Sequence, residues 1–407
     1  MPVSEESEGK ISVSMTSILA ALAIQSSFPG DYTKDLKELI GAFDQYGAYV
    51  HSDRIDLKAL ESRYSLKFHM VKDRDQLLSH LESIVGELHD FHASLGTNND
   101  SSPRLVPSGT DLIARWKGEK AIIDQVRIGS VAMIAGLKSG DEIVQIQGVP
   151  VRQATQTWFQ IRKPDARGWD WALNSSLAGV WNKKRTLFIN REGAVWETTL
   201  DTAFTPRSKK VLTFEKRANG IAYLRPEDSL GQDDLIKEFD ALVPELRKAK
   251  GIVIDLRNTG SGGTSSVARG IMGLFISKRL PYQRHRVVER DTKTVRDWVE
   301  YASPRLSSPI KGKVVVLVGR WTGSMGEGIA VGFDAMKRAT VIGTGMAGLR
   351  GAVDNLELPV SHIRVFFPTE EVFHVNGTPR HEWKPPVSIK FGSDDPWWDA
   401  AIRELRR

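Results

Sequence analysis

The segment TGSMGEG at residues 322–328 follows the apolar run VVVLV at residues 314–318. A hydrophobic strand thus leads into a turn of small residues with one serine, and the apolar helix pattern of residues 329–336 comes next. Such a turn exposes the Ser324 hydroxyl and points free backbone N–H groups at a bound group. Many serines in turns of this kind only cap a helix, so the segment alone does not establish a nucleophile.

Composition limits the classes of protein to consider. The 407 residues suffice for two or three domains, and the apolar fraction of 41% and charged fraction of 26% are ordinary for a globular protein. The net charge of +6 comes from scattered basic residues, which argues against a nucleic-acid partner. The chain has no cysteine, and this excludes disulfides, iron–sulfur clusters and a cysteine nucleophile.

The N-terminal apolar run at residues 15–24 is too short to span a membrane. It resembles a secretory signal peptide weakly, because the residues before it carry three glutamates and one lysine, whereas a signal peptide prefers a positive start. We therefore expect a short N-terminal helix packed on the body of a soluble protein, cytoplasmic or exported, with no stable membrane span.

The first third of the chain is predicted to be helical. Apolar residues at positions 36, 39, 40 and 43 share one helical face, and a second face runs through residues 77–88. The polar stretch TNNDSSP at residues 97–103 predicts a boundary. We expect a helical N-terminal region over residues 1–103.

A region of short strands follows. Between two strand-like runs lies GSVAMIAGLKSGD at residues 129–141, which resembles the pattern of PDZ domains. The resemblance implies a PDZ-like β domain over residues 104–206 that binds an extended peptide by strand addition, with a carboxylate-binding loop near Gly109 and Thr110. The alternative is a small β domain without a peptide groove.

The last domain alternates strand and helix patterns. A strand-like run at residues 220–224 and a helical stretch at residues 235–246 precede the buried strand GIVIDLR at residues 251–257, which ends in NTGSGG. Alternating strands and helices predict an α/β core, which we assign to residues 207–407.

Three motifs together resemble one family. DLRNTGSGG at residues 255–263, TGSMGE at residues 322–327 and RATVIG at residues 338–343 are similar, in the same order, to motifs of the carboxyl-terminal processing (tail-specific) serine protease superfamily. That superfamily also has a PDZ domain before its catalytic core. The resemblance covers most of residues 80–390 and implies a crotonase/ClpP-like α/β core with Ser324 as the nucleophile.

The superfamily has two catalytic types. One pairs the serine with a lysine in a GKG turn, but the corresponding residues 348–351 read GLRG, and an arginine stays charged and cannot serve as a base. The other type, like the tricorn protease core, uses a histidine from the N-terminal region and a glutamate near the chain end. The resemblance assigns these roles to His92, which ends LHDFH, and to Glu382, which ends GTPRHE.

The resemblance also implies how these residues react. Neutral His92 takes the proton of the Ser324 hydroxyl and returns it to the leaving amine, while Glu382 orients the imidazole directly or through another hydroxyl. The substrate is an extended or unfolded polypeptide, and neither a metal nor an organic cofactor is implied. Oligomeric state is left open.

Backbone groups complete the expected site. The N–H groups of Gly263 and Met325 form the oxyanion hole, a contribution of roughly 3 kcal/mol per donor. Gly262 lets the backbone approach the substrate closely and is assigned to substrate binding. Glu327 lies about one turn into the helix and is expected to brace the loop.

Two other functions stay open at this point. The first is an α/β-hydrolase with esterase activity, because Asp354 followed by His374 or His381 gives the chain order of that class. The second is a non-catalytic relative that binds peptides or apolar ligands.

Overall fold

A computed structural model of the protein describes residues 30–201, 208–389 and 395–407. Three β-sheets and the helices that cover them form a mixed α/β multidomain fold, as the sequence predicts. The expected helix over residues 15–24 and the boundary between residues 206 and 207 lie outside the described residues. Within the described ranges, no helix is both long enough and apolar enough to cross a bilayer.

The N-terminal region is helical, as expected. Its elements are α1 (Thr33–Tyr46), α2 (Leu57–His69), α3 (Arg74–Gly86) and the short strand β1 (Ser94–Leu95). The side chains of Asp56 and Asp73 accept hydrogen bonds from backbone N–H groups and so cap the starts of α2 and α3. The apolar faces of the three helices share one core with part of the carboxyl-terminal half of the chain.

An antiparallel sheet, here called the outer sheet, follows. Its elements are β2 (Leu112–Lys117), β3 (Lys120–Val126), α4 (Val131–Ile134), β4 (Glu142–Ile146), β5 (Val149–Pro150), α5 (Val151–Gln156), α6 (Ala166–Ala178), β6 (Arg185–Arg191) and β7 (Ala194–Leu200). The strand order is β2-β3-β4-β6-β7, with β5 paired to β4. Strand β2 therefore forms one edge of this sheet, and α6 packs against it.

A mainly parallel sheet, here called the central sheet, carries the Ser324 turn. Its elements are β8 (Leu212–Arg217), β9 (Ile221–Pro226), α7 (Asp234–Ala241), α8 (Val243–Lys248), β10 (Gly251–Asp255), α9 (Ser265–Met272), β13 (Lys313–Val318), α10 (Met325–Ala335), β14 (Thr340–Gly343), β17 (Val387–Ser388) and α11 (Pro396–Arg406). The order is β17-β14-β13-β10-β9-β8. Because β10 and β13 are parallel neighbours, the loops that follow them meet at one edge, where Thr259 pairs with Thr322.

A third sheet, here called the bridging sheet, joins the N-terminal region to the core. It contains β1, β11 (Leu280–Glu289), β12 (Thr294–Ala302), β15 (Ala352–Glu357) and β16 (Arg364–Phe373), in the order β1-β16-β11-β12 with β15 also paired to β16. Ser94 of β1 pairs with Phe366 of β16. This pairing brings the residues just before β1, including His92, to the carboxyl-terminal half of the chain.

Two local features differ from the sequence patterns. The helical stretch predicted at residues 235–246 is two helices, α7 and α8, that meet at Leu242. The break lies just before Pro244, which has no N–H to donate into a continuous helix. The hairpin of β11 and β12 was not among the predicted elements, because its strands mix charged and apolar residues without a sustained alternation.

Candidate active site

Ser324 lies in the sharp turn between β13 and α10. Its backbone has φ 50° and ψ −110°, a combination that non-glycine residues rarely adopt and that the surrounding structure must enforce. The turn presents the side chain at the edge of the central sheet. Its backbone N–H donates to the Glu327 carboxylate at 2.9 Å.

His92 contacts Ser324 through one ring nitrogen. Its Nε2 lies 3.0 Å from the Ser324 Oγ, and its Nδ1 lies 2.7 Å from the backbone oxygen of Arg350. A carbonyl oxygen can only accept, so Nδ1 carries the proton and Nε2 is free to accept from the hydroxyl. The two residues therefore have the arrangement that a serine and its general base require.

The surroundings keep the imidazole of His92 neutral. Burial lowers its pKa to about 4, and the nearby Arg380 guanidinium lowers it as well, while hydrogen bonds to the Arg350 and Gly351 backbone act in the opposite direction. At neutral pH the ring is in the form that accepts a proton.

Glu382 does not contact His92, so of the two expected arrangements, direct or through another hydroxyl, the direct one is not present. Residues Arg380–Glu382 form a single 3₁₀ turn that buries Arg380 and leaves the Glu382 side chain 66% exposed. The nearest ionic partner of Glu382 is Nε2 of His381, at 3.7 Å. The partner of the His92 Nδ1 proton is a backbone carbonyl instead of a carboxylate.

The loop after β10 lies against Ser324 through a glycine. Gly262 has φ 69°, and a Cβ there would lie only 2.5 Å from the Ser324 Cβ, so a larger residue would displace the turn. Gly262 is buried, so its close approach is to Ser324, whereas its neighbour Gly263 lines the cavity.

Two backbone donors are available beside Ser324. Within residues 30–201, 208–389 and 395–407, the N–H groups of Gly263 and Met325 have no hydrogen-bond acceptor. Met325 is the first residue of α10, and the first N–H groups of a helix have no partner within it and carry the positive end of its dipole. Both groups are thus free to bind a developing oxyanion.

Glu327 ties the Ser324 turn to the loop that contacts His92. Its buried carboxylate accepts the Ser324 N–H at 2.9 Å with one oxygen and the Gly348 N–H at 2.9 Å with the other. Burial raises its pKa to about 7, against the opposing effects of Arg380 and these hydrogen bonds. The side chain has the bracing contacts expected from its position.

His92 and Ser324 line a cavity of about 690 Å³, within the size range of ligand sites in proteins. One part of its wall is apolar and is formed by Phe91, Leu95, Leu105, Val106, Val353 and Phe366. Another part is polar and is formed by Arg127, Glu227, Asp228, Asn258 and Ser261. The cavity can therefore receive both the side chains and the backbone of an extended peptide.

The expected carboxylate-binding loop is not open for binding. The N–H groups of Gly109 and Thr110 donate to Leu105 and Pro107 carbonyls at 2.7 and 3.1 Å. Thr110 is only 3% exposed, whereas Gly109 contributes to the cavity wall. Both donors are therefore paired within the loop, and neither N–H is free to hold a peptide carboxylate in this conformation.

The edge of β2 is also occupied. The Asn174 side chain of α6 accepts the Ala114 N–H at 2.9 Å and donates to the Ala114 oxygen at 2.9 Å. The Trp116 N–H donates to the Asp170 carboxylate at 3.1 Å. Side chains of α6 thus make the contacts that an added peptide strand would make with this edge.

The residues of the esterase alternative are not assembled around Ser324. His374 contacts Asp334 through Nε2 at 3.1 Å, and His381 lies beside Glu382. Only His92 among the histidines of the described residues forms a hydrogen bond with the Ser324 hydroxyl.

Sequence reasoning missed Arg350, which contacts His92, and Asp53, which contacts Arg350. The backbone oxygen of Arg350 holds His92, and the Arg350 side chain is held in turn by Asp53. A backbone acceptor leaves no signature in the sequence, and Asp53 lies in no recognisable motif. The only signal was the GLRG turn, which drew attention because it lacks a lysine.

Comparisons with known proteins match this description. Residues 220–385 match the model of peptidase family S41. A tail-specific protease of Haemophilus influenzae is 30% identical over 145 residues, which are 34% of this chain and 19% of that protein. The chain therefore spans only about a fifth of the length of that curated relative.

Solved structures share the fold over nearly the whole chain. Mature CPAF superposes with a TM-score of 0.60 at 15% identity, covering 95% of this chain and 96% of that one. The photosystem II D1 C-terminal processing protease superposes with a TM-score of 0.58 at 16% identity, covering 93% and 97%. At these identities the likeness concerns the fold.

The Ser324–His92 pair has the geometry of a serine nucleophile and its base. Residues 220–385 are similar to peptidase family S41, and the resemblance to the tail-specific serine protease superfamily is confirmed.

Proposed function

We propose that the protein is a serine endopeptidase that cleaves extended or unfolded polypeptides through an acyl-enzyme at Ser324. The observation that carries this proposal is the 3.0 Å contact between His92 Nε2 and Ser324 Oγ in the wall of the cavity. A serine hydroxyl is a weak nucleophile at neutral pH, and a neutral imidazole at this distance is what activates it.

In the acylation step the Ser324 oxygen attacks the scissile carbonyl carbon while its proton moves to Nε2 of His92. The C–N bond then breaks, and the same proton passes to the leaving amine. Water, deprotonated by His92, attacks the acyl carbon next and releases the new carboxylate and the Ser324 hydroxyl. The free N–H groups of Gly263 and Met325 stabilise the oxyanion in both steps.

The positive charge that forms on His92 has no carboxylate partner among the residues that the structure describes. Its Nδ1–H donates to the Arg350 carbonyl, while burial and the nearby Arg380 guanidinium both disfavour the cation. The negative oxyanion that forms at the same moment offsets this cost, since opposite charges attract strongly in a site with little water. The site therefore favours the charged pair in the transition state over an isolated cation in the resting enzyme.

We extend the proposal to the organisation of the chain. Residues 1–103 are the N-terminal helical region that supplies the base, residues 104–206 are a PDZ-like domain, and residues 207–407 are a crotonase/ClpP-like core. The outer sheet at Leu112–Leu200 and the parallel central sheet support this division. The occupied edge of β2 argues that substrate engages the cavity rather than this edge.

The relatives suggest the kind of substrate. One is named as a tail-specific protease and another as a C-terminal processing protease. We infer that this protein also acts on accessible, extended carboxyl-terminal segments. Cleavage of an unfolded polypeptide with a free tail should then exceed cleavage of the same polypeptide fused at its carboxyl terminus to a folded domain.

The proposal is tested by labelling the purified protein with a fluorophosphonate probe and mapping the adduct by mass spectrometry. We expect labelling at Ser324 that disappears in Ser324→Ala and in His92→Ala but persists in His374→Ala, a matched control for loss of a partly buried histidine. No labelling under conditions that label a control protease would contradict the proposal and favour a binding protein. Loss in His374→Ala with labelling retained in His92→Ala would favour the esterase alternative.

A further inference from the structure

The orientation of His92 depends on the position of one backbone carbonyl. The Arg350 oxygen accepts the Nδ1 proton at 2.7 Å, and no side-chain carboxylate within the described residues contacts this nitrogen. A shift of residues 348–351 would therefore rotate or release the imidazole. The residues that hold this loop in place therefore help to determine the orientation of the His92 imidazole.

The side chain of Arg350 turns away from the cavity and is anchored elsewhere. Its guanidinium donates to both oxygens of Asp53, at 2.6 and 3.2 Å, and lies over the Tyr49 ring at 3.6 Å from the ring centroid. Two parallel N–H contacts to one carboxylate fix direction as well as distance. Arg350 and Asp53 are only 9% and 13% exposed at their side chains, so solvent weakens this pair little.

The neighbouring backbone leaves the loop little freedom. Gly351 has φ 59°, and a Cβ there would lie 2.1 Å from the Glu370 oxygen. Arg380 donates to the Gly351 oxygen at 2.6 Å. The loop is thus held on one side by Arg380 and on the other by the contact between Arg350 and Asp53.

Asp53 comes from the loop after α1, far along the chain from Ser324 and His92. It also accepts a hydrogen bond from Arg167 at 2.6 Å, and Arg162 lies 3.4 Å away. Burial alone would raise the pKa of Asp53, but Arg350 and Arg167 together hold it below its ordinary value. The carboxylate is therefore charged wherever the protein is folded at neutral pH.

We propose that Asp53 is a positioning residue for the reaction, because it anchors the Arg350 side chain and thereby sets the carbonyl that orients His92. This inference rests on the proposed function. Asp53 touches neither the substrate cavity nor the reacting atoms, and it acts only through Arg350.

The central test compares Asp53→Asn with the wild type. We expect kcat, or the rate of labelling at Ser324, to fall by about 10- to 100-fold with KM changed little, since small displacements of a reacting group cost this much. Arg350→Met should give a similar loss, and the double variant should be no worse than either single variant, because both break one contact.

Two further variants separate positioning from general damage. Asp141→Asn breaks a comparable bidentate contact with Arg191 in the outer sheet and should leave the labelling rate unchanged. Arg167→Met removes another partner of Asp53 and should have a small effect. A loss in either control as large as that in Asp53→Asn, or additive losses in the double variant, would overturn the proposal.

A measurement independent of activity keeps the inference distinct from the proposed function. The hydrogen-bonded Nδ1 proton of His92 should give a downfield proton NMR resonance, assigned by its loss in His92→Gln. We expect it to shift or disappear in Asp53→Asn and to persist in Asp141→Asn. An inactive wild type would contradict only the proposed function, whereas an unchanged resonance and rate in Asp53→Asn would overturn only this inference.

Discussion

The cavity at Ser324 and the edge of β2 beside α6 are two places where an extended peptide could be expected to lie, and they differ in their backbone hydrogen bonds. Beside Ser324, the N–H groups of Gly263 and Met325 have no acceptor in the described part of the chain. At the edge of β2, the Ala114 backbone is paired on both its polar groups with Asn174.

The difference indicates which site is built to receive a ligand. Gly263 is exposed and Met325 is partly exposed, so their unpaired N–H groups are accessible to a bound molecule that can accept from them. An edge whose donors and acceptors are already satisfied gains nothing from an added strand unless α6 first moves away. Resemblance to a peptide-binding domain is therefore weaker evidence of binding than the state of the backbone groups.

The largest expected effect removes the base from the active cavity. His92→Ala should lower kcat/KM for an unfolded protein substrate by about 10⁴-fold, because the Ser324 hydroxyl then has no proton acceptor. Hydrolysis of fluorescently labelled casein measures this. His381→Ala, which removes a histidine that does not contact Ser324, is the control and should retain most activity.

A smaller effect concerns the brace beneath the cavity. Glu327→Gln should lower kcat by about 10- to 100-fold, because the Ser324 and Gly348 N–H groups donate to different carboxylate oxygens and the amide replaces one of these with an NH2 group that cannot accept. The variant and the wild type should have similar KM values for the substrate. Equal kcat in the variant and the wild type would show that the brace is not needed.

Titration of the Glu327 carboxylate should make kcat depend on pH. Ionised Glu327 accepts both N–H groups, and its pKa is raised to about 7, so kcat should fall as pH decreases through about 7. His92 stays neutral down to about 4 and should add a second loss only there. In Glu327→Gln the loss near pH 7 should be absent, and its persistence would assign it to another group.

A change at the edge of β2 should affect the stability of the protein and not its activity. Asn174→Ala leaves the Ala114 N–H and C=O without partners and should lower the free energy of unfolding by about 1–3 kcal/mol. The labelling rate at Ser324 should not change. Denaturant unfolding measures the first quantity, with Asn182→Ala as an exposed control. A large loss of activity in Asn174→Ala would show that the edge of β2 takes part in catalysis.

The smallest effect is expected at Glu382. Because its side chain is largely exposed and does not contact His92, Glu382→Gln should change kcat/KM by less than about two-fold. A loss approaching that of His92→Ala would restore the role that the family resemblance assigns to this glutamate.

The sequence predicted those parts of the site that depend on local structure. The Ser324 turn follows from a hydrophobic strand, a run of small residues and a helix, and these signals are adjacent in the chain. His92 required the family resemblance, because its pairing with Ser324 arises only when β1 joins β16. Local hydrophobic patterns likewise predicted the alternation of strands and helices in the α/β core.

The remaining parts of the site depend on the orientation of side chains and backbone groups, which no sequence pattern specifies. Whether Glu382 turns toward His92 or away from it is decided by one 3₁₀ turn that buries Arg380 instead. Whether the N–H groups of Gly109 and Thr110 are free depends on how their own loop closes. The acceptor for His92 is a backbone oxygen, which every residue possesses.

The most direct test of this account is hydrogen–deuterium exchange of the Ser324→Ala variant with and without an unfolded polypeptide substrate. We predict that bound substrate slows exchange at residues 258–264 and around Met325, which contain the unpaired N–H groups of Gly263 and Met325, and leaves residues 112–117 unchanged. Slower exchange at residues 112–117 without a change beside residue 324 would contradict the account, because the polypeptide would then lie on the β2 edge.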